Sequence, residues 1–211
     1  MISMHELQST IVLESIEGFI SELSNFHHDL SNEWERSSSN TINFKHNLCK
    51  LYTNGTLLLY LKDYQKFVQR YLLVKRPKEP LKECDSFTVQ RRVKEWDSLR
   101  DKIDRYLKRP EKGKVPLKKC LNDIVGFRLC LKCSLDRNEL LQYLKCTFDD
   151  PKKFSCIDAT KNGYTAIHVY IRESNLSPSW EVQIWNQKDI DANLQSHEAY
   201  KQDYTKYSER K

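Results

Sequence analysis

The run Lys161-Asn162-Gly163-Tyr164-Thr165-Ala166-Ile167-His168 carries the parts of a nucleotide site in order. Gly163 permits a tight turn, and Tyr164 offers an aromatic face on which a base can stack. His168 follows inside a stretch, Ala166 to Ile171, that reads as a strand. A Gly-Tyr before a strand is by itself usually a turn closing on a core aromatic. Two carboxylates in similar local settings add weight. Asp123 stands at the start of the apolar run Ile124-Val125-Gly126-Phe127-Arg128-Leu129-Cys130-Leu131, and Glu181 opens Glu181-Val182-Gln183-Ile184-Trp185. Both sit at the edge of an expected strand, and both could point at one magnesium ion, a hard cation that takes oxygen ligands.

A second cluster is basic. Read as one helix over residues 86–108, the chain puts Lys94, Ser98 and Lys102 on a narrow polar stripe, with Val89, Val93, Trp96, Ile103 and Leu107 on the other side. Two ammonium groups and a hydroxyl in line suit a polyphosphate, although solvated lysines on a surface helix are common. Helical phase puts Arg91 on this stripe and Arg92 near its apolar border, which leaves open which of the two faces a ligand.

These residues resemble the synthetase domain of the RelA/SpoT family in its short form, the small alarmone synthetases. Four blocks match in order: Arg92-x-Lys94-x-x-x-Ser98-x-x-x-Lys102; Asp123-x-x-Gly126-x-Arg128; Asn162-Gly163-Tyr164-x-x-x-His168; and Glu181-Val182-Gln183-Ile184 with His197-x-x-Tyr200-Lys201. The resemblance implies a nucleotidyltransferase-like α+β fold, a small mixed β-sheet flanked by helices. It implies transfer of pyrophosphate from ATP to a 3′-hydroxyl with release of AMP, supported by Mg²⁺. Arg92 and Arg128 would then clasp the adenine, with Lys94, Ser98 and Lys102 on the phosphates. Asp123 and Glu181 would hold the metal, Glu181 would also take the hydroxyl proton, and His168 would touch the reacting group or the acceptor phosphate. Tyr164, Gly163, Lys161, His197 and Lys201 would hold the acceptor.

The sequence departs from the housekeeping members, which usually carry Arg and Thr where Trp185 and Asn186 stand. It also ends ten residues after Lys201, so the tetramer built through C-terminal helices is not expected. A longer N-terminal part, a short C-terminus and a changed acceptor region resemble the toxic branch of the family, toxins of toxin–antitoxin pairs. The favoured acceptor is therefore the 3′-CCA adenosine of tRNA, with a cognate antitoxin as a further partner. GDP, GTP or an adenosine nucleotide, giving an alarmone, is the alternative, and an inactive RNA- or protein-binding relic is a third. On the tRNA reading, the acceptor stem would meet Lys112, Lys114, Lys118, Lys119, Lys206, Arg210 and Lys211.

The elements that must position these groups follow from periodicity. Residues 5–34 have apolar positions at helical spacing, and a second helical region runs over 43–73 with a break at Asn54-Gly55. Pro77 ends it. Residues 108–119 read as a loop, since Pro110, Gly113 and Pro116 interrupt them, and six of these twelve residues are basic. Strands are expected at 123–131, 165–172 and 180–185, with helices at 135–146 and from Gln187. The expected division is a helical extension, 1–85, before a synthetase core, 86–211.

The first 35 residues hold seven acids and no Lys or Arg, so the rest carries 35 basic against 22 acidic residues, an excess that suits a polyphosphate or nucleic-acid partner. Seven scattered cysteines, including a lone Cys130-x-x-Cys133, fit reduced thiols in a cytoplasm better than a disulfide framework or a zinc site. Neither a secretory signal nor a membrane span is expected.

Overall fold

The computed structural model describes residues 4–53, 55–75 and 86–196. A five-stranded mixed sheet lies at its centre in the order β1-β2-β5-β4-β3, built from β1 (Phe87–Val93), β2 (Val125–Leu131), β3 (Phe154–Asp158), β4 (Ile167–Ile171) and β5 (Trp180–Trp185). Only the β2–β5 pair is parallel; the other three are antiparallel. The fold is α+β, as the sequence implies.

One face of the sheet is apolar. It is formed by Val125, Phe127, Leu129 and Leu131 on β2, Trp180, Val182 and Ile184 on β5, and Ile167, Val169 and Ile171 on β4, all buried. Helix α1 (Met4–Ser37) lies on it. Its residues Val12, Ile16, Phe19, Ile20, Leu23, Phe26, Leu30 and Trp34 recur every three or four positions and are buried. Phe19 meets Phe87 and Phe127 edge-on, with ring centroids 5.9 and 6.3 Å apart, and Phe26 packs on Trp180 at 6.0 Å. Helix α3 (Thr56–Val74) closes the same layer. The Trp34 indole donates to the Tyr60 hydroxyl, and the Trp180 indole donates to that of Tyr64. Residues of the acidic first helix and of the sheet therefore share one hydrophobic core. Truncating Phe19 to Ala removes the contact between α1 and two strands, and should cost about 3–5 kcal/mol in chemical denaturation. A loss below about 1 kcal/mol would mean that α1 is not part of the core.

The expected helix over 86–108 is instead two elements, β1 and α4 (Trp96–Lys108). Phe87, Val89 and Val93 share a parity, which is a strand's period of two; the four-residue gap from Val89 to Val93 fits either period, and this is where the helical reading went wrong. Strand β3 is absent from the expectation because its short run, Phe-Ser-Cys-Ile-Asp, carries little apolar alternation. The region 43–73 holds α2 (Leu48–Tyr52) and α3, and the expected break falls at Gly55, whose φ is +69°. The basic loop contains a short helix, α5 (Leu117–Cys120). Helix α6 (Arg137–Thr147) is capped by the Asp136 carboxylate, which accepts from the backbone of Asn138 and Glu139. A 3₁₀ turn, Gln187–Asp189, leads into helical residues 190–196. The described cysteines are free thiols. No helix among the described residues is long and apolar enough to cross a membrane.

Candidate active site on the polar face of the sheet

Strand alternation sends the other half of the sheet's side chains to the opposite face, and the register sorts them into rows. Arg92, Gly126, Glu181 and Tyr170 stand opposite one another on β1, β2, β5 and β4; in the next row stand Gln90, Arg128, Gln183 and His168. Cys130 and Trp185 follow. Arg92 crosses above Gly126, where an added Cβ would lie 3.6 Å from the guanidinium Nε. Arg91 has the opposite parity and donates to the Leu72 carbonyl on α3. The strand therefore puts Arg92, and not Arg91, on the polar face.

At the entrance to β2 the Asp123 carboxylate is clamped by two ammonium groups. Lys94 donates to Oδ2 at 2.8 Å and Lys102 to Oδ1 at 2.9 Å. Lys102 also reaches Asn122. Burial alone would raise the Asp123 pKa, but the charges and hydrogen bonds of Lys102 and Lys94 outweigh it and hold it at about 2. Burial pulls the Lys94 pKa below its ordinary value despite this partner. The helical stripe read from sequence is thus wrong in form: Lys94 follows β1 and Lys102 sits on α4, yet both ends converge on one carboxylate. Ser98 is exposed on the first turn of α4.

Glu181 is buried, and several donors surround its carboxylate. Gln183 Nε2 donates to Oε2 at 2.8 Å, the Tyr170 hydroxyl donates to Oε1 at 3.1 Å, and His168 Nδ1 lies 3.1 Å from Oε1. Burial would raise the Glu181 pKa and so would the Asp123 charge, but the bonds from His168 and Gln183 and the His168 charge leave it below the usual value. Burial, then the Glu181 charge, push the Tyr170 hydroxyl well above its ordinary range.

Arg128 extends this network to its neighbours. Its Nε donates to Gln183 Oε1 at 3.2 Å, a terminal nitrogen donates to Gln90, and its guanidinium carbon lies 3.7 Å from the centre of the Trp185 ring. The plane of this guanidinium is thereby set. Trp185 in turn donates from Nε1 to the Tyr164 hydroxyl at 3.1 Å, which lies 2.8 Å from His168 Nε2. Asn186 is buried away from the sheet face: its side chain accepts from the backbone N–H of Leu135 and donates to its carbonyl.

Asn162 and Gly163, with φ of 51° and 80°, form a tight two-residue turn closed by backbone bonds between Lys161 and Tyr164. The turn puts Lys161 in solvent and leaves Tyr164 half-buried against Trp185. Asn193 on the last described helix pins Thr165 by bonding both its N–H and its carbonyl, so β4 starts only at Ile167. Lys112, Lys114, Lys118 and Lys119 are all exposed, on the loop and on α5 just before Asp123. His197, Lys201, Lys206, Arg210 and Lys211 lie outside the described residues.

Sequence reasoning had passed over Gln90, Tyr170, Gln183 and Trp185 as contributors. Their signal was parity: each is two or four residues from an assigned group on the same strand. Among the described residues no cluster of three His, Cys, Asp or Glu could hold a metal by itself. Asp123 and Glu181, close enough to interact by charge, supply only oxygen donors. That set fits Mg²⁺, which keeps several waters and takes one or two carboxylates beside phosphate oxygens.

The family profile described as "Region found in RelA / SpoT proteins" matches residues 91–205. No curated protein matches the chain. Among solved structures, small alarmone synthetase 1 from Bacillus subtilis is similar at 17% identity and a TM-score of 0.36, over 74% of this chain and 80% of that one. A structure of the same Bacillus subtilis protein bound to AMPCPP is similar at 18% identity and 0.35, over 75% and 81%.

Proposed function

The chain belongs to the RelA/SpoT family, whose region spans more than half of it, and from that premise we propose that it is an ATP-dependent 3′-pyrophosphokinase with the tRNA 3′ end as acceptor. The observation that carries the pyrophosphokinase reading is the Asp123 carboxylate clamped by Lys94 and Lys102 and near enough to Glu181 to act on it by charge.

In this reading Arg92 and Arg128 take the adenine between them. Arg128 is already oriented by Gln183, Gln90 and the Trp185 ring, so little side-chain freedom is lost on binding. Lys94 and Lys102, with Ser98 beside them, exchange part of their hold on Asp123 for the phosphates. Asp123 and Glu181 would hold magnesium, which when bound would supply charge neutralisation on those phosphates. Tyr164, Gly163 and Lys161 seat the acceptor. Its 3′-oxygen forms a bond to the β-phosphorus in line, the bond from that phosphorus to the α,β-bridging oxygen breaks, and AMP leaves. The hydroxyl proton passes to the Glu181 carboxylate, which its hydrogen-bonded setting keeps ionised and aimed.

The tRNA acceptor is supported by the exposed lysines at 112, 114, 118 and 119, which put positive charge on the loop and on the short helix α5 that precede Asp123 in the chain. An acceptor stem offers a row of phosphates to such a surface; a free nucleotide does not need it. A neutralising antitoxin would have reason to cover the same lysines. Incubation with ATP labelled at the γ-phosphate should transfer label to bulk tRNA and leave GDP and GTP almost unlabelled. Ready labelling of GDP, GTP or an adenosine nucleotide, with tRNA unlabelled, would assign the enzyme to alarmone synthesis instead. Label in none of them would leave only a binding role.

A further inference from the structure

Trp185 stands where the housekeeping enzymes' pattern has an arginine, and it is almost fully buried. Its two functional parts point at two different halves of the site. The ring face carries the Arg128 guanidinium at 3.7 Å, on the side assigned to the donor nucleotide. The indole Nε1, which can only donate, points at the Tyr164 hydroxyl at 3.1 Å, on the side assigned to the acceptor.

With the indole as donor to this oxygen, every donor meets an acceptor when the phenol O–H donates to His168 Nε2, 2.8 Å away. Nε2 then acts as acceptor, so in the neutral imidazole the proton sits on Nδ1. Nδ1 faces Glu181 Oε1 at 3.1 Å and the Tyr170 oxygen at 3.3 Å, both able to accept. Each donor in the chain from indole to phenol to imidazole to carboxylate meets an acceptor, and bonds aligned in this way polarise one another. With the other tautomer Nδ1 would turn a lone pair toward the Glu181 carboxylate, which would then lose one of its donors.

We propose that Trp185 is a positioning residue that fixes the tautomer of His168 through the Tyr164 hydroxyl and so keeps Glu181 aimed at the acceptor. The catalytic part of this role rests on the pyrophosphokinase reading; the tautomer part does not. Trp185→Phe keeps an aromatic ring near Arg128 and removes the N–H donor together with part of the ring. Tyr164→Phe keeps the stacking ring and cuts the same chain at its next link, and it carries the test should Trp185→Phe fail to fold.

The tautomer is read by NMR of isotopically labelled imidazole nitrogens, with the His168 signals identified by their loss in His168→Gln. Wild type should hold the proton on Nδ1, and both variants should populate the Nε2–H form. In steady-state assays kcat should fall about three- to tenfold, the loss of one hydrogen bond, with the KM for ATP unchanged. An Nδ1 proton retained in both variants overturns the proposal, and so does a changed tautomer with wild-type kcat. A changed tautomer in a protein that transfers no pyrophosphate would support the tautomer role and sink the pyrophosphokinase reading instead.

Discussion

Glu181→Gln is expected to lower pyrophosphate transfer by about a hundred- to ten-thousand-fold, the usual contribution of a positioned acid–base group. The change keeps the side chain's volume and removes the negative charge that both metal binding and proton acceptance require. Its hydrogen-bond partners can adapt: the new amide oxygen still accepts from Tyr170 and His168, and the Gln183 amide can turn over to meet the new amide nitrogen, at the cost of its bond from Arg128. The variant should therefore melt close to wild type, and activity within a few-fold of wild type would remove Glu181 from the chemistry. Asp123→Asn should be equally inactive but is a less clean test. Asp123 balances two mostly buried ammonium groups, Lys94 and Lys102 being only 15% and 16% exposed. Removing its charge leaves both uncompensated, and breaking a buried pair in this way is strongly destabilising. Its melting temperature should fall together with its activity.

Reversing charge at Lys118 and Lys119, or at Lys112 and Lys114, is expected to reduce tRNA labelling by roughly tenfold or more at low salt. The slope of log activity against log salt should flatten by about one to two, because each lost phosphate contact releases one counterion fewer. The effect should be uniform across tRNA species, since phosphate contacts carry no sequence information. All four side chains are exposed, so the fold should tolerate the changes. Turnover onto any free nucleotide should hardly move. Unchanged tRNA labelling in both double variants would rule out this surface as the tRNA contact.

The side chains that meet on this face had each been singled out in the sequence: Asp123, Glu181, Tyr164 and His168 by residue type and local setting, Lys94 and Lys102 by spacing, and Arg128 by the family resemblance. The amphipathic stripe of α1 and the span of β5 were equally legible, since each follows one period over its whole length. Where two periods coincide the sequence failed. Val89 and Val93 suit a helix or a strand, and only pairing with β2 made β1 a strand. That pairing also sent Arg91 to the apolar side and Arg92 to the polar one. The connections between distant blocks belong to the tertiary structure as well. Glu181 and Tyr170 face each other because β4 and β5 pair in one register, and a shift of one residue would turn every such side chain to the other face. Trp185 looked like a lost arginine in the sequence. In the folded chain it supports Arg128 and bonds Tyr164, because a strand brings together residues that no local spacing relates.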